Sequence, residues 1–499
     1  MGIQLKDLQR GSVIRTNQQE LTDSVVTKLA YAFAQWLSES LEKPADTLVI
    51  SVGRDSRPSG ERILKAVCEG LSRADTDIYD CGLATTPAMQ MTLELDDINA
   101  DGAIMITASA SGEEKNGFKF YSSRGALTSD ELTCVLNKAQ NMVVPKRLVK
   151  PLDIMASYKS RLASRVSEFL EDDTPMPLLG LRVIVDASNG SGGFFAQLLE
   201  SLGADTAGSF NLEPTGVFAS HLPNPESSEN LKELSCKVLE NEADLGVLLD
   251  ADADRVALVD AAGKVINRNR LIALVAAIML EDEKNLTFVT DSVTSSGLTR
   301  FITEWGGNHY RFKRGYKNVI EEAERLSEEG IKVPAAIETS GHAAMAENFF
   351  IDDGVFLATK VICEAMWRKK RGETLTSLID ELQEPVESVE VRLPIIQEDY
   401  RKAAGYVIEA ILSKTVSNPE WRLAVDNREG VRVLFSIDGQ VDNAWFMLRL
   451  SVHDPVMVLN AESEVPGGLK TVLSELYEVL KQDNEELDLK PFEDVLKTI

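Results

Sequence analysis

The sequence predicts an α/β fold: three similarly built domains, then a final domain of different construction. Three observations carry this. A β-rich stretch running into Asp, then Ser and Gly, then a helical pattern occurs three times: 48–52 before Asp55, Ser56 and Gly60; 183–185 before Asp186, Ser188 and Gly190; and 288–289 before Asp291, Ser292 and Gly297. The helical patterns cover 61–71, 194–202 and 298–305, each closing near glycine. Strand, loop and helix in that order open an α/β layer. Two apolar runs flank an acidic loop at 250–254, which reads as strand, loop, strand. Finally, Glu384-Pro385 interrupts apolar periodicity and introduces a strand-like segment at 386–393.

The elements divide the chain in order. A polar stretch between Pro145 and Pro151 precedes a helical pattern at 158–169 and marks a first boundary. A second lies within 264–270, and the third at the Glu384-Pro385 break. The expected domains are therefore 1–150, 151–266, 267–384 and 385–499. In the last, 431–436 and 445–450 read as a hairpin-like pair around a turn at Asp438-Gly439. The acidic end, 482–499, reads as a solvated helix or tail.

Composition limits the function. A chain of 499 residues can bury several cores. Its 79 acidic against 52 basic residues, a formal charge of −27, disfavour nucleic acid and anionic membranes as partners. No apolar run approaches the ~18 residues of a membrane span, and nothing resembles a signal peptide. Five dispersed cysteines (Cys68, Cys81, Cys134, Cys236 and Cys363) without C-x-x-C spacing argue against a disulfide framework or zinc site and suit a reducing cytoplasm.

Chemistry concentrates in two loops. Asp250, Asp252 and Asp254 alternate between apolar strands. Three carboxylates so placed can be desolvated together only around a hard cation, which points to Mg²⁺. A calcium loop of the EF-hand type would need Gly and Glu where Arg255 and Ala261 stand; a solvated acidic turn is the plain alternative. Upstream, the apolar run 102–106 delivers Ser109 into a loop of small residues, with Lys119 ten positions on. A serine after a strand is commonly a turn former or helix cap. Beside a metal loop, its hydroxyl can instead carry a phosphoryl group.

In this order and at these spacings, the chain resembles the α-D-phosphohexomutases (phosphoglucomutase, phosphomannomutase and phosphoglucosamine mutase). That family has a serine loop T-A-S-H-N-P with N-G-x-K, a metal loop D-x-D-x-D-R, a sugar loop G-E-x-S-G-H and a late phosphate loop R-x-S-G-T-E-P. The resemblance implies four domains around a central cleft, the last a smaller α+β unit; they would carry the phosphoserine loop, the metal, the sugar-recognition loop and the phosphate loop respectively. It implies Ser109 as the phosphorylated serine and as a further ligand to Mg²⁺ beside Asp250, Asp252 and Asp254. Lys119 takes the place of a general acid or base, or of a fixed positive charge, and Arg15 that of an arginine near the active centre. Arg255 closes the metal loop. Arg314 and Lys317 resemble a substrate-contacting loop. Glu338, Ser340 and His342 resemble the sugar loop, although a core or helix-start histidine is the equal alternative for His342. Arg449, Ser451 and His453 stand in the phosphate loop. The implied activity is interconversion of hexose 1-phosphate and hexose 6-phosphate through a hexose 1,6-bisphosphate, which also serves as activator; the partner is a small phosphosugar, and no oligomeric interface is legible.

The departures imply a divergent branch. His-Asn-Pro after the serine has become Ala110-Ser111-Gly112, and Gly-Thr-Glu in the phosphate loop has become Val452-His453-Asp454. The latter removes a small residue whose backbone can approach an anion. Val13 and Ala251 stand where aspartate and glycine are usual. These changes leave open a phosphosugar-binding member with impaired catalysis, since fold does not guarantee activity. A phosphatase using an aspartate nucleophile is a third reading, in which the serine loop would be superfluous.

Overall fold

A computed structural model describes residues 4–140, 150–418, 420–451, 454–483 and 486–499. The chain divides into two compact units, Met1–Asn267 with Ser340–Ser377, and Arg268–Thr339 with Leu378–Ile499.

The first unit is built on two sheets. In one, the strand Val49–Arg54 lies between the parallel strands Asp77–Leu83 and Gly102–Ile106. Gly102–Ile106 then pairs antiparallel with Lys115–Ser122, which pairs antiparallel with Val13–Asn17. The last pairing sets Arg15 opposite Gly117, where a Cβ would collide with the Ile14 carbonyl. Helices Asp23–Ser40, Gly60–Ser72 and Ser129–Ala139 cover this sheet with Phe33, Leu37, Ile63 and Leu132, which share one core with Ile50, Ile104, Phe118 and Phe120. Two of these starts are chemically fixed: Thr22 accepts from Val25 N, and Thr128 and Glu131 form a reciprocal capping box.

In the second sheet, Leu245–Leu249 runs parallel to Val183–Asp186 and antiparallel to Val256–Asp260. These three strands are buried at every position. Burial on both faces explains why they read as continuous apolar runs rather than alternating ones. Helix Ser228–Glu240 packs on this sheet through Leu231, Leu234 and Val238, and helix Gly354–Arg371 contacts both Leu245–Leu249 and Val256–Asp260.

In the second unit, Thr287–Asp291 lies between the parallel strands Asn308–Phe312 and Ala335–Ile337. Its C-terminal part is an antiparallel sheet ordered Glu387–Pro394, Val456–Ser463, Gln440–Leu450, Val431–Ile437, Arg422–Leu423, with helices Tyr400–Ser417 and Gly468–Asp483 packed on it. This is an α+β arrangement, unlike the α/β layers before it. The expected hairpin is present, with its turn at Asp438 and Gly439, both at positive φ.

The three strand, loop and helix units are present as Val49–Arg54 with Gly60–Ser72, Val183–Asp186 with Phe194–Ser201, and Thr287–Asp291 with Ser296–Glu304. The reading of 482–499 as a solvated end needs correction. Residues Lys490–Leu496 form a helix whose Phe492 is fully buried in the C-terminal core beside Leu487. One aromatic among many charges carries too little periodicity to reveal docking, but it has enough area to drive it. Among the described residues no helix is long and apolar enough to cross a membrane.

Candidate active site

Both loops singled out in the sequence leave the carboxyl ends of strands in the first unit: the serine loop follows Gly102–Ile106, and the acidic loop follows Leu245–Leu249. Ligands of α/β sheets bind at such strand ends. Although 141 positions separate them in the chain, Ser109 Oγ donates to Asp250 Oδ2 at 3.1 Å. Arg255 joins the two, its Nη2 donating to Ser109 Oγ at 2.6 Å and its Nε to Asp250 Oδ2 at 3.0 Å. Lys119 Nζ bridges Asp252 Oδ2 at 2.8 Å and Asp254 Oδ2 at 2.5 Å.

All three aspartates are inaccessible to solvent. They offer one oxygen each within 4.8 Å of one another. Asp252 Oδ1 and Asp254 Oδ1 are buried with no hydrogen-bond partner among the described residues. Buried carboxylate oxygens without donors are costly. Hard oxygen donors gathered in this way fit a divalent cation of the Mg²⁺ type.

The electrostatics agree. Burial, set against Arg255 and reinforced by Asp254 and Asp252, pushes Asp250 up to about 7. Asp254 goes the other way: burial raises it, but Lys119, His342 and Arg255 together hold it well below the usual carboxylate range. Arg255 is raised because Asp250, Asp254 and Asp252 outweigh its desolvation. Arg15 is lowered, by burial first and by Arg255 second, which places it in the same charged centre.

His342 also reaches this centre. Its Nδ1 lies 2.7 Å from Asp352 Oδ2 and 3.9 Å from Asp254 Oδ2. Gly341 and Gly354 permit the approach: a Cβ on Gly341 would strike the Val256 carbonyl, and one on Gly354 the backbone of Arg255. Two partners here were not identified from sequence. Thr86 Oγ1 donates to Asp252 Oδ2 at 2.6 Å, and Asp352 orients His342. Helix Thr86–Met91 starts at a Thr85 cap with Pro87 in its first turn, and nothing read from the sequence marked it as a neighbour of the metal loop.

Other expected residues lie in the second unit. Gly315 N donates to Glu338 Oε1 at 2.6 Å, tying the expected substrate loop to the sugar loop. Arg314 Nε stands 3.8 Å from Asp291, while its backbone N donates to Glu429 Oε2 at 3.1 Å. Arg449, 5% exposed, is the penultimate residue of the strand Gln440–Leu450 and is lowered by burial first, with Glu429, Arg314, Asp291 and Glu390 around it. Its Nε has no hydrogen-bond partner among the described residues. Lys317 pairs with Glu321 one helical turn on. Ser451 Oγ accepts from Asp454 N at 3.3 Å, and Ser340 is buried in the first unit. His453 lies outside the described residues.

A serine hydroxyl, a cation cage of carboxylates and fixed positive charges on a parallel-stranded scaffold define a phosphoryl-transfer enzyme class. Models of the phosphoglucomutase/phosphomannomutase α/β/α domains I, II and III match residues 8–141, 158–263 and 267–386. The chain belongs to the phosphoglucomutase/phosphomannomutase family, and so to the isomerases. It is 29% identical to a phosphomannomutase/phosphoglucomutase of Pseudomonas syringae pv. tomato, covering 94% of each chain. It is also 29% identical to a phosphoglucosamine mutase of Xanthobacter autotrophicus, covering 87% of this chain and 90% of that one. A phosphoglucomutase/phosphomannomutase family protein of Burkholderia thailandensis shares the fold with a TM-score of 0.80 at 22% identity, over 96% of this chain and 99% of that one.

Proposed function

We propose that this protein interconverts hexose 1-phosphate and hexose 6-phosphate by way of a phosphorylated Ser109. The observation that carries the reading is the meeting of Ser109 Oγ with Asp250 at 3.1 Å beside Arg255. In the forward half-reaction the bond between phosphorus and Ser109 Oγ breaks as the free hydroxyl oxygen of the bound sugar phosphate forms its own bond to phosphorus. The hydroxyl proton leaves to a basic group: Lys119 either takes it as the free amine or, as the ammonium paired with Asp252 and Asp254, serves as a fixed positive charge while another base takes the proton. Arg255 and Lys119 place positive charge beside the transferred group, and phosphoryl transfer depends chiefly on such positioning and electrostatics. The hexose 1,6-bisphosphate then reverses its orientation and returns its other phosphate to Ser109.

Asp250, Asp252 and Asp254, with an oxygen of phosphorylated Ser109, would hold Mg²⁺, which when bound neutralises charge on the transferred phosphoryl group. Glu338 and Ser340 are assigned to the sugar hydroxyls, and Arg314, Lys317 and His342 to substrate contact. Arg449, Ser451 and His453 hold the phosphate that is not reacting, and Arg15 lends charge to the centre. We assign these roles to the four expected domains, 1–150, 151–266, 267–384 and 385–499, with a hexose 1,6-bisphosphate as activator and the cytoplasm as location.

The test is turnover of glucose 1-phosphate by purified protein with Mg²⁺ and catalytic glucose 1,6-bisphosphate, repeated with mannose 1-phosphate and glucosamine 1-phosphate. Ser109→Ala is expected to remove nearly all isomerisation. Full activity in that variant, or release of inorganic phosphate in place of isomerisation, refutes the reading. Binding without interconversion by the unmodified chain assigns it instead to the impaired, sugar-binding branch.

A further inference from the structure

The serine loop has almost nothing apolar with which to hold its shape. Residues 107–112 read Thr-Ala-Ser-Ala-Ser-Gly, and Ser109 itself is left-handed, at φ +51°. A non-glycine residue in that region is strained by roughly 1–2 kcal/mol and persists only where its surroundings over-determine it. The surroundings that do so here come from Arg57, which is 1% exposed. Its guanidinium donates to four carbonyls of the loop: Nη2 to Ser109 O at 2.6 Å and Ser111 O at 2.8 Å, and Nη1 to Gly112 O at 2.5 Å and Lys115 O at 3.1 Å. Its Nε donates to Asp55 Oδ2 at 2.9 Å, so every N–H of the planar fork is used.

Asp55 extends the grip. It is fully buried, and its Oδ2 also accepts from Thr107 Oγ1 at 2.8 Å. Thr107 Oγ1 in turn accepts from the backbone N of Ser109 at 2.9 Å. An unbroken line of hydrogen bonds thus runs from Arg57 through Asp55 and Thr107 to the nucleophile's own amide, while the same arginine holds the nucleophile's carbonyl. Replacing a buried ion pair by apolar groups is often neutral or stabilising, so stability alone is a weak reason for one here. The backbone geometry it imposes is the better reason.

We propose that Arg57, Asp55 and Thr107 are positioning residues, which set where Ser109 Oγ stands when it accepts and surrenders a phosphoryl group. This rests on the phosphoserine reading above. None of the three touches the reacting atoms; they act through the backbone of Ser109. A displacement of about 1 Å at a reacting group can cost on the order of a hundredfold in rate.

Thr107→Val keeps the side-chain volume and removes the hydroxyl that joins Asp55 to Ser109 N, and Thr107→Ser restores it. The readout is single-turnover phosphorylation of Ser109 by glucose 1,6-bisphosphate with Mg²⁺, followed by intact mass, together with kcat and KM for glucose 1-phosphate. In Thr107→Val the rate constant of phosphorylation and kcat are expected to fall between about ten- and a hundredfold. The fraction of chains finally labelled and KM should stay within about twofold of wild type, and Thr107→Ser should recover most of the rate. An unchanged rate constant with a smaller labelled fraction means only fewer folded chains, and overturns the proposal. So does a valine variant as fast as wild type. A wild-type chain never labelled at Ser109 overturns the phosphoserine reading itself, and this inference with it.

Discussion

After Ser109 the loop carries Ala110, where the resemblance leads one to expect an imidazole, and the geometry bears on what such a ring would do. The hydroxyl is already held by Asp250 and Arg255, while Arg57 and Thr107 fix the backbone on either side of it. An imidazole at 110 is therefore not needed to place the Ser109 hydroxyl. Ala110→His is accordingly expected to alter kcat without abolishing it, with Ser109→Ala as the null reference; a histidine variant as dead as Ser109→Ala would show that position 110 is intolerant. The candidate centre was legible at this scale because its chemistry lies in spaced, unusual residue types: three alternating aspartates, a serine after an apolar strand, a glycine-linked histidine. Thr86, Asp352, Asp55 and Arg57 were not singled out. Each acts through a partner elsewhere in the chain, Thr86 and Asp252 being 166 positions apart. Asp55 and Arg57 were read only as part of a repeated strand ending, since no local pattern announces a donor fork aimed at four carbonyls.

Among the elements, helix Gly354–Arg371 has a start that responds to pH. Asp353 caps it, accepting from Phe356 N at 2.8 Å, and also accepts from Tyr158 OH at 2.7 Å and Asn348 Nδ2 at 3.1 Å. Burial pushes this carboxyl up to about 7, against the hydrogen bonds that favour its charged form. Below the unfolded value of 3.8 the group is protonated in both states and contributes no slope. Between 3.8 and about 7 the unfolded chain releases the proton while the folded one keeps it, so stability falls as pH rises through this window. Asp353→Asn keeps an oxygen for the cap and has no proton to lose. Its stability relative to wild type, measured by denaturant unfolding, should therefore rise steadily from pH 4 to pH 7 and then level off; a difference flat across that window would show that Asp353 titrates normally. A second element depends on a single glycine. In Gly117→Ala the methyl would strike the Ile14 carbonyl of the strand that carries Arg15. The expected cost is about 1–3 kcal/mol, read as a lowered melting temperature. Neither element was read from the sequence: a cap buried against Tyr158 and a close backbone approach appear only once the chain is folded.

For the molecule as a whole, the alternation of strand, loop and helix was legible because fully buried strands are continuous apolar runs with turn residues at their ends, whatever their tertiary neighbours. The docked C-terminal helix was not, because one phenylalanine decides it. The formal charge of −27 makes the acidic cage a thermodynamic burden unless a cation is bound. Three buried carboxylates face Lys119 and Arg255, and two of their oxygens have no donor among the described residues. A ligand that binds only the folded state stabilises it by RT ln(1 + [L]/Kd), about 2.7 kcal/mol at a hundredfold excess over Kd. Saturating Mg²⁺ is thus expected to raise the unfolding midpoint of the metal-stripped protein by several degrees, with EDTA reversing the shift. Asp252→Asn removes one buried charge and one metal ligand at once. Without Mg²⁺ it should already unfold earlier than wild type, because Lys119 loses one of its two buried carboxylate partners; with Mg²⁺ the gap should widen, because most of the shift is lost. That widening of the gap between the two melting curves is a readout independent of turnover. Equal Mg²⁺ shifts in wild type and variant would mean that the ion is held elsewhere, and that the aspartates are stabilised by Lys119 and Arg255 alone.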